Sequence, residues 1–255
     1  MEKRKRSRRG TGQQLRGEIL DAVDRLLERA GGYDGLTMRG VATEAGVTAG
    51  AIYLHFDDKA SLFWASLARH FDALAARMQA AEAQAGEDAR DRLEALAHAY
   101  CRFGLANHGP YRLMFEVQQP TAGAPDPRVH PAAQVTDLFA RAVDRCGQEG
   151  RPLRLPVLQT AQTLWMALHG IVAVQHVLPF RPVDEAVDGG AGEAAPAGAA
   201  EPGPFVDYIL QLTDGALAVL VGTERGEGPA RVADTAVERE LRARLAPRPE
   251  GGAAR

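Results

Sequence analysis

Wherever apolar residues are dense in this 255-residue chain, they recur at intervals of three and four rather than two. Leu15, Ile19, Ala22, Val23, Leu26, Leu27 and Ala30 make one continuous stripe at that spacing, the buried face of a helix. β-Branched residues rarely run together, while Ala, Arg, Gly and Leu dominate, which favours helices over strands. The chain is therefore expected to be all-α.

The punctuation between stripes sets the expected elements. Thr11 and Gln14 have capping-box spacing, predicting a first helix over 12–30 that Gly31-Gly32 ends. Two short helices follow, over 38–45 and 49–55, preceded by Thr37 and Thr48 as N-caps. Asp58 caps a long helix over 59–85, and further helices are expected over 87–107, 111–118 and 132–146. Pro110 stands where a helix-start proline is tolerated, and the prolines at 120, 125, 127 and 131 mark a loop. The most apolar helix, over 157–178, carries Leu164, Trp165, Leu168, Ile171, Val172, Val174, Val177 and Leu178. That half is apolar nearly all round, so burial on every side is expected, in a domain core or between subunits. A last helix over 205–221 aligns Phe205, Ile209, Leu212, Ala216 and Val219.

The chain is therefore expected to divide into a basic arm (1–11), a small helical domain (12–58), a larger one (59–222) and a tail (223–255). Residues 181–203 are Ala/Gly/Pro/Glu-rich and read as a flexible insert. The tail is charged and rich in Gly and Pro, with either a short helix over 232–245 or none.

Charge is unevenly spread. Lys3, Arg4, Lys5, Arg6, Arg8, Arg9 and Arg16 face only Glu2 within residues 1–17, yet the formal charge of the whole is −3. A basic tip on an acidic body orients a protein toward a polyanion; the bland alternative is a solvated tail. Cys101 and Cys146, the two cysteines, build neither a disulfide framework nor a metal motif, which fits a reducing cytosol. No apolar signal core follows the basic start, and the apolar run over 164–178 is too short to span a bilayer, so a cytoplasmic chain with no membrane partner is expected. There is no P-loop, His-Glu-x-x-His, nucleophile elbow or paired-Cys motif, so no catalytic residue, metal or cofactor is assigned. His169 and His176 share a helix face, but two turns separate them by ~10 Å, too far for one ion.

The informative stretch is Thr37 to Phe56. Two short helices meet at a tight turn where Gly46 can take the left-handed conformation, and Ala42 is small enough to let them cross closely. Val41, Ala45, Val47 and Ile52 fix the crossing. The second helix starts with Thr48, Ala49 and Gly50 and continues with Tyr53, His55 and Lys59 along one edge. Small residues allow close approach and the donors reach phosphates, which a core hairpin would not need.

Residues 12–67 resemble the DNA-binding domain of TetR-family regulators. The resemblance rests on Leu36-Thr37, Arg39, Val41-Ala42, Ala45-Gly46-Val47 and Gly50-Ala-Ile-Tyr53-Leu-His55-Phe56 with Lys59 and Leu62. It implies a three-helix helix-turn-helix domain backed by a larger helical regulatory domain. It further implies that Tyr53, His55 and Lys59 touch the DNA backbone, that Thr48, Ala49 and Gly50 approach bases, and that Thr37 and Arg39 touch the duplex. The second helix has no Arg, Lys, Asn or Gln before His55, so base readout is shared with indirect readout or with the arm, which can lie in a minor groove.

Pro110-Tyr-Arg-Leu-Met-Phe115 and Trp165-Met-Ala-Leu-His169-Gly170 resemble the subgroup whose regulatory domain carries a Trp…His-Gly helix. The implied assembly is a homodimer in which helices 157–178 and 205–221 of each subunit form a four-helix bundle, although the insert at 181–203 departs from a compact connection. The implied activity is a repressor that leaves a palindromic operator when a small, largely apolar effector binds. Phe103, Tyr111, Met114, Phe115, Trp165 and His169 are candidates to line the effector pocket; for each, plain core packing is the competing role. An architectural DNA binder without an effector is the rival reading.

Overall fold

The computed structural model describes residues 11–30, 32–121, 123–125, 130–177 and 204–222. The basic arm, the insert at 181–203 and the tail with its candidate helix over 232–245 lie outside the described residues. Among the described residues nine α-helices stand in order: α1 (Thr11–Ala30), α2 (Met38–Glu44), α3 (Ala49–Tyr53), α4 (Lys59–Gln84), α5 (Ala89–Ala106), α6 (His108–Phe115), α7 (Ala133–Gln148), α8 (Val157–Val177) and α9 (Pro204–Leu220). A single 3-10 turn, Tyr33–Gly35, links α1 to α2, and among the described residues the only bridge is Leu153 with Val221. The fold is all-helical, as the apolar spacing predicts.

Two compact units form, and they divide the chain differently from the expected boundary at 58. The first gathers residues 1–73 with 107–133; the second gathers 74–106 with 134–255. Helix α4 therefore contributes to both, and α6 returns to the first.

In the first unit Ile19, Leu20, Ala22, Val23 and Leu27 of α1 are buried together with Val41, Ala42, Ile52, Leu62, Phe63, Leu67 and Phe71. Charged pairs fix the helices around that core. Arg25 binds Glu44 at 2.7 Å and Arg29 binds the same carboxylate, joining α1 to α2. Arg69 reaches Asp21 at 2.6 Å and Asp24 beside it, joining α4 to α1. Burial alone would raise the pKa of Asp24, but His70, Ser66 and Arg69 outweigh it and hold the carboxyl below its usual range. Helix α6 packs on α1, where Arg112 donates to the carbonyl of Glu28 at 3.2 Å and so closes the C-terminal end of α1.

In the second unit α8 packs on α5 and α9, and α5 also packs on α9. Leu93, Leu96, Tyr100 and Phe103 of α5 are buried with Leu138, Phe139 and Val143 of α7 and Leu164, Leu168 and Val172 of α8. Buried Arg90 donates to the carbonyls of Leu217 at 3.2 Å and Val221 at 2.7 Å, a cation where the α9 dipole is negative. Cys101 and Cys146 are free, and burial pushes both thiols up to about 11, leaving them protonated and inert.

Helix α8 departs from its sequence reading in two ways. The 21-residue helix that contains the run over 164–178 has a mean hydropathy of 1.3 over its most apolar window, long and apolar enough to cross a bilayer although that run alone is shorter. The helix is also not buried on every side: Val157, Leu158, Ala161, Leu164, Leu168 and Val172 face inward, whereas Met166, Val174 and Val177 are exposed. The buried face is that of a core helix. The exposed one has no cover among the described residues.

Asp88 caps α5, accepting from the amides of Arg90 at 2.8 Å and Asp91 at 3.3 Å, and pairs with Arg151 at 2.6 Å. Partial burial would raise its pKa; the Arg151 hydrogen bond and the two amides outweigh that and hold it at about 2 against an ordinary 3.8. A depressed carboxyl stabilises the fold above its unfolded pKa and loses that contribution as pH falls through the folded value. The thermal midpoint should therefore fall between pH 4 and 2 more steeply for the native chain than for Asp88→Asn. Parallel melting curves across that window would show that Asp88 contributes nothing.

Candidate nucleic-acid interface

Backbone chemistry at the end of α2 sets the geometry of the site. Gly46 has φ of +67°, its amide bonds the carbonyl of Thr43 at 3.2 Å, and the amide of Val47 bonds that of Ala42 at 2.9 Å. This paired closure is the Schellman motif, and a side chain at its left-handed position costs roughly 1–2 kcal/mol. An added Cβ at Gly46 would meet nothing within 4 Å, so backbone conformation rather than space demands glycine there. The chain then enters α3 at Thr48, whose hydroxyl accepts from the amide of Ala51 at 3.3 Å, as Thr37 accepts from Gly40 at 3.0 Å at the start of α2. Both threonines are exposed, and each capping hydroxyl still has its proton to donate outward.

Ile52 and Phe56 turn one side of α3 into the core, and Arg16 of α1 stacks 5.0 Å above the Phe56 ring. The opposite side carries Thr48, Ala49, Gly50 and Tyr53, all exposed. At Gly50 an added Cβ would meet only the Thr48 hydroxyl, at 4.0 Å. Nothing in the protein requires glycine at this position; close approach of another surface would. Arg39 is exposed on α2 and makes no ion pair among the described residues, and His55 is half-buried against Phe56.

Lys59 is placed differently from a free surface lysine. Its Nζ donates to the carbonyl of Tyr33 at 3.2 Å and sits 3.9 Å from the centre of the Tyr33 ring. Burial, with the carboxylates of Asp58 and Asp34, raises the Tyr33 pKa and keeps the phenol neutral beneath the ammonium. The ammonium is thereby aimed, with two of its three protons left for a phosphate. Two partners of this edge escape sequence reasoning. Tyr33 lies outside the two short helices, and Leu54 is an apolar side chain 83% exposed beside Tyr53.

The candidate effector residues divide between the units. Tyr111, Met114 and Phe115 belong to the first, where Phe115 packs on Phe71 and on Tyr111 with ring centres 5.5 and 4.8 Å apart. Phe103, Trp165 and His169 belong to the second, where Trp165 donates to the Tyr100 hydroxyl at 3.3 Å. Tyr111, Met114 and Phe103 are buried; Phe115, Trp165 and His169 are half-buried.

Residues 19–65 match the family described as bacterial regulatory proteins, tetR family, and residues 93–192 match the tetracyclin repressor-like C-terminal domain. The chain belongs to the TetR family. Its members are transcription regulators, not enzymes. A stretch of 101 residues is 35% identical to the HTH-type transcriptional activator FasR of Mycolicibacterium smegmatis, covering 40% of this chain and 45% of that protein. The match thus spans under half the length of the curated relative. Among solved structures, a protein of unknown function from Rhodococcus sp. RHA1 aligns at 28% identity with a TM-score of 0.60, over 81% of this chain and 95% of that one. A TetR family transcription regulator from Marinobacter aquaeolei VT8 shares the fold at 17% identity and a TM-score of 0.61, over 84% and 99%.

The edge of this TetR-family regulator yields a paired prediction. Gly50→Ala should leave the thermal midpoint unchanged or slightly higher, since alanine suits a helix better, while lowering affinity for the operator more than for random DNA. Lys59→Ala should weaken both DNAs alike and flatten the slope of log affinity against log salt by about 1 per half-site. Binding isotherms on both DNAs across a salt series test the pair; operator-selective loss in Lys59→Ala would reverse the assignment.

Proposed function

We propose that the chain is a cytoplasmic, ligand-responsive repressor that binds a palindromic operator as a homodimer and leaves it when a small, largely apolar molecule binds its helical regulatory unit. The observation that carries the reading is the exposed edge of α3, with unencumbered Gly50 between capping Thr48 and Tyr53. Thr48, Ala49 and Gly50 approach the bases; Tyr53, His55 and Lys59 meet phosphates, and Thr37 and Arg39 touch the duplex. In a two-fold dimer such edges read half-sites roughly 34–36 Å apart, or somewhat further. Activation is the second reading, favoured by the 35% identity to an activator, and footprint position relative to the promoter distinguishes the two.

The dimer is supported by what α8 and α9 leave uncovered. Met166, Gly170, Val174 and Val177 make one exposed stripe on α8, and Leu212, Gly215 and Val219 make another on α9. Met166 is 61% and Val219 63% exposed, and an added Cβ at Gly170 or Gly215 would meet nothing within 4 Å. Apolar stripes with small residues suit close helix–helix contact across a two-fold axis. Because these side chains are exposed within the chain, Leu212→Glu with Val219→Glu should preserve helicity while yielding a monomer that binds operator weakly. A double variant that sediments as a dimer would place the interface elsewhere.

For the effector, Phe103, Trp165 and His169 are the proposed contacts in the second unit. Tyr111, Met114 and Phe115 are proposed as responding residues in the first. A ligand alters DNA binding only through its differential affinity for two states, and the coupling is reciprocal. Whatever factor the effector removes from operator affinity, typically about 5–150-fold, saturating operator should remove from effector affinity. Calorimetric titration with and without operator checks this; equal effector affinity in both would exclude the mechanism.

A further inference from the structure

Glu94 and His98 lie four residues apart on α5, so their side chains leave the same face one turn from each other. Asp214 approaches from α9, with its Oδ1 2.7 Å from His98 Nε2. A carboxylate oxygen of Glu94, one of Asp214 and a ring nitrogen of His98 all lie within 4.8 Å of one another. All three residues are half-buried, and the His98 side chain is only 18% exposed.

Arg90, which donates to the carbonyls of Leu217 and Val221, also lies close enough to Glu94 and Asp214 to interact with both carboxylates electrostatically. It hydrogen-bonds the end of α9 instead of entering the cluster, so the donor atoms of Glu94, His98 and Asp214 still face one another. Converging imidazole and carboxylate donors suit a borderline divalent ion.

We propose that Glu94, His98 and Asp214 form a divalent transition-metal site of the zinc class that fastens α5 to α9. Zinc–nitrogen and zinc–oxygen bonds of ~2.0–2.2 Å set tetrahedral ligand atoms about 3.4 Å apart. The His98–Asp214 contact must therefore open slightly and the wider separations close, movements within reach of half-exposed carboxylates on rotatable stems. Three protein ligands leave a fourth position for water. The imidazole selects against magnesium and calcium, which take oxygen donors. Cys101 is adjacent but is no ligand: its buried thiol bonds the Thr213 hydroxyl at 3.4 Å. No linear motif announces the set, because His98 and Asp214 are 116 residues apart.

The test uses the full untagged chain after chelator treatment. Cobalt(II), whose visible bands report low coordination number, is titrated and then displaced by zinc, with equilibrium dialysis giving the stoichiometry. The native chain should bind one zinc per chain at this site, gain thermal stability with zinc and not with magnesium, and lose both on Glu94→Gln. Because glutamine keeps the shape of Glu94, that variant should melt close to the native chain without metal. Asp214→Asn should behave likewise towards zinc, so the test stands if His98→Ala misfolds. Unchanged zinc stoichiometry and stabilisation in both variants, or no zinc binding by the native chain, overturns the site. Binding is read without DNA or effector, so its outcome is independent of the proposed regulatory cycle.

Discussion

The left-handed residue at Gly46 is the constraint on which the exposed edge of α3 depends. Its two backbone hydrogen bonds end α2 and reverse the chain in the space of three residues, which leaves Thr48 in place to start α3. Every exposed group on α3 inherits its direction from that turn. Ile52 and Phe56 face the core only if the turn closes as it does, and Gly50 and Tyr53 face outward for the same reason. A five-residue helix has little stability of its own, so its orientation is wholly a tertiary property.

Helix α1 supplies the other half of that rigidity through charge. Glu44 is shared by Arg25 and Arg29, whose hydrogen bonds depress its pKa, and Asp24 is shared by Ser66, His70 and Arg69. Exposed pairs of this kind contribute little individually; a network on several helices restricts how they slide past one another. His70 Nε2 lies 3.0 Å from Asp24 Oδ2 and is the largest of the influences that lower the Asp24 pKa.

Much of this was legible in the sequence for a simple reason: helix starts and stops are local. Thr37, Thr48, Asp58 and Gly46 each act within four residues of themselves, and the structure finds each where spacing puts it. The family followed from the Gly50 to Lys59 pattern in the same way. What stayed illegible depends on distance along the chain. Tyr33 under Lys59, Arg90 at the end of α9 and the Asp88–Arg151 pair join residues whose types are ordinary and whose separation carries no period. The effector candidates divide between the two units for a related reason. Bulky residues mark a core, and periodicity does not say which of two cores they enter.

The return of α6 to the first unit sets an order of events in synthesis. Glu28 and Arg112, which joins α6 to the last turn of α1, are 84 residues apart. A nascent chain that has just emitted α3 therefore still has an open end on α1, with the carbonyl of Glu28 left to water. Helix α5, a member of the other unit, must be made first. Helices α1–α3 therefore leave the ribosome before the helix that completes their unit. A fragment cut after α4 would keep the turn at Gly46 and lose the helix that closes α1.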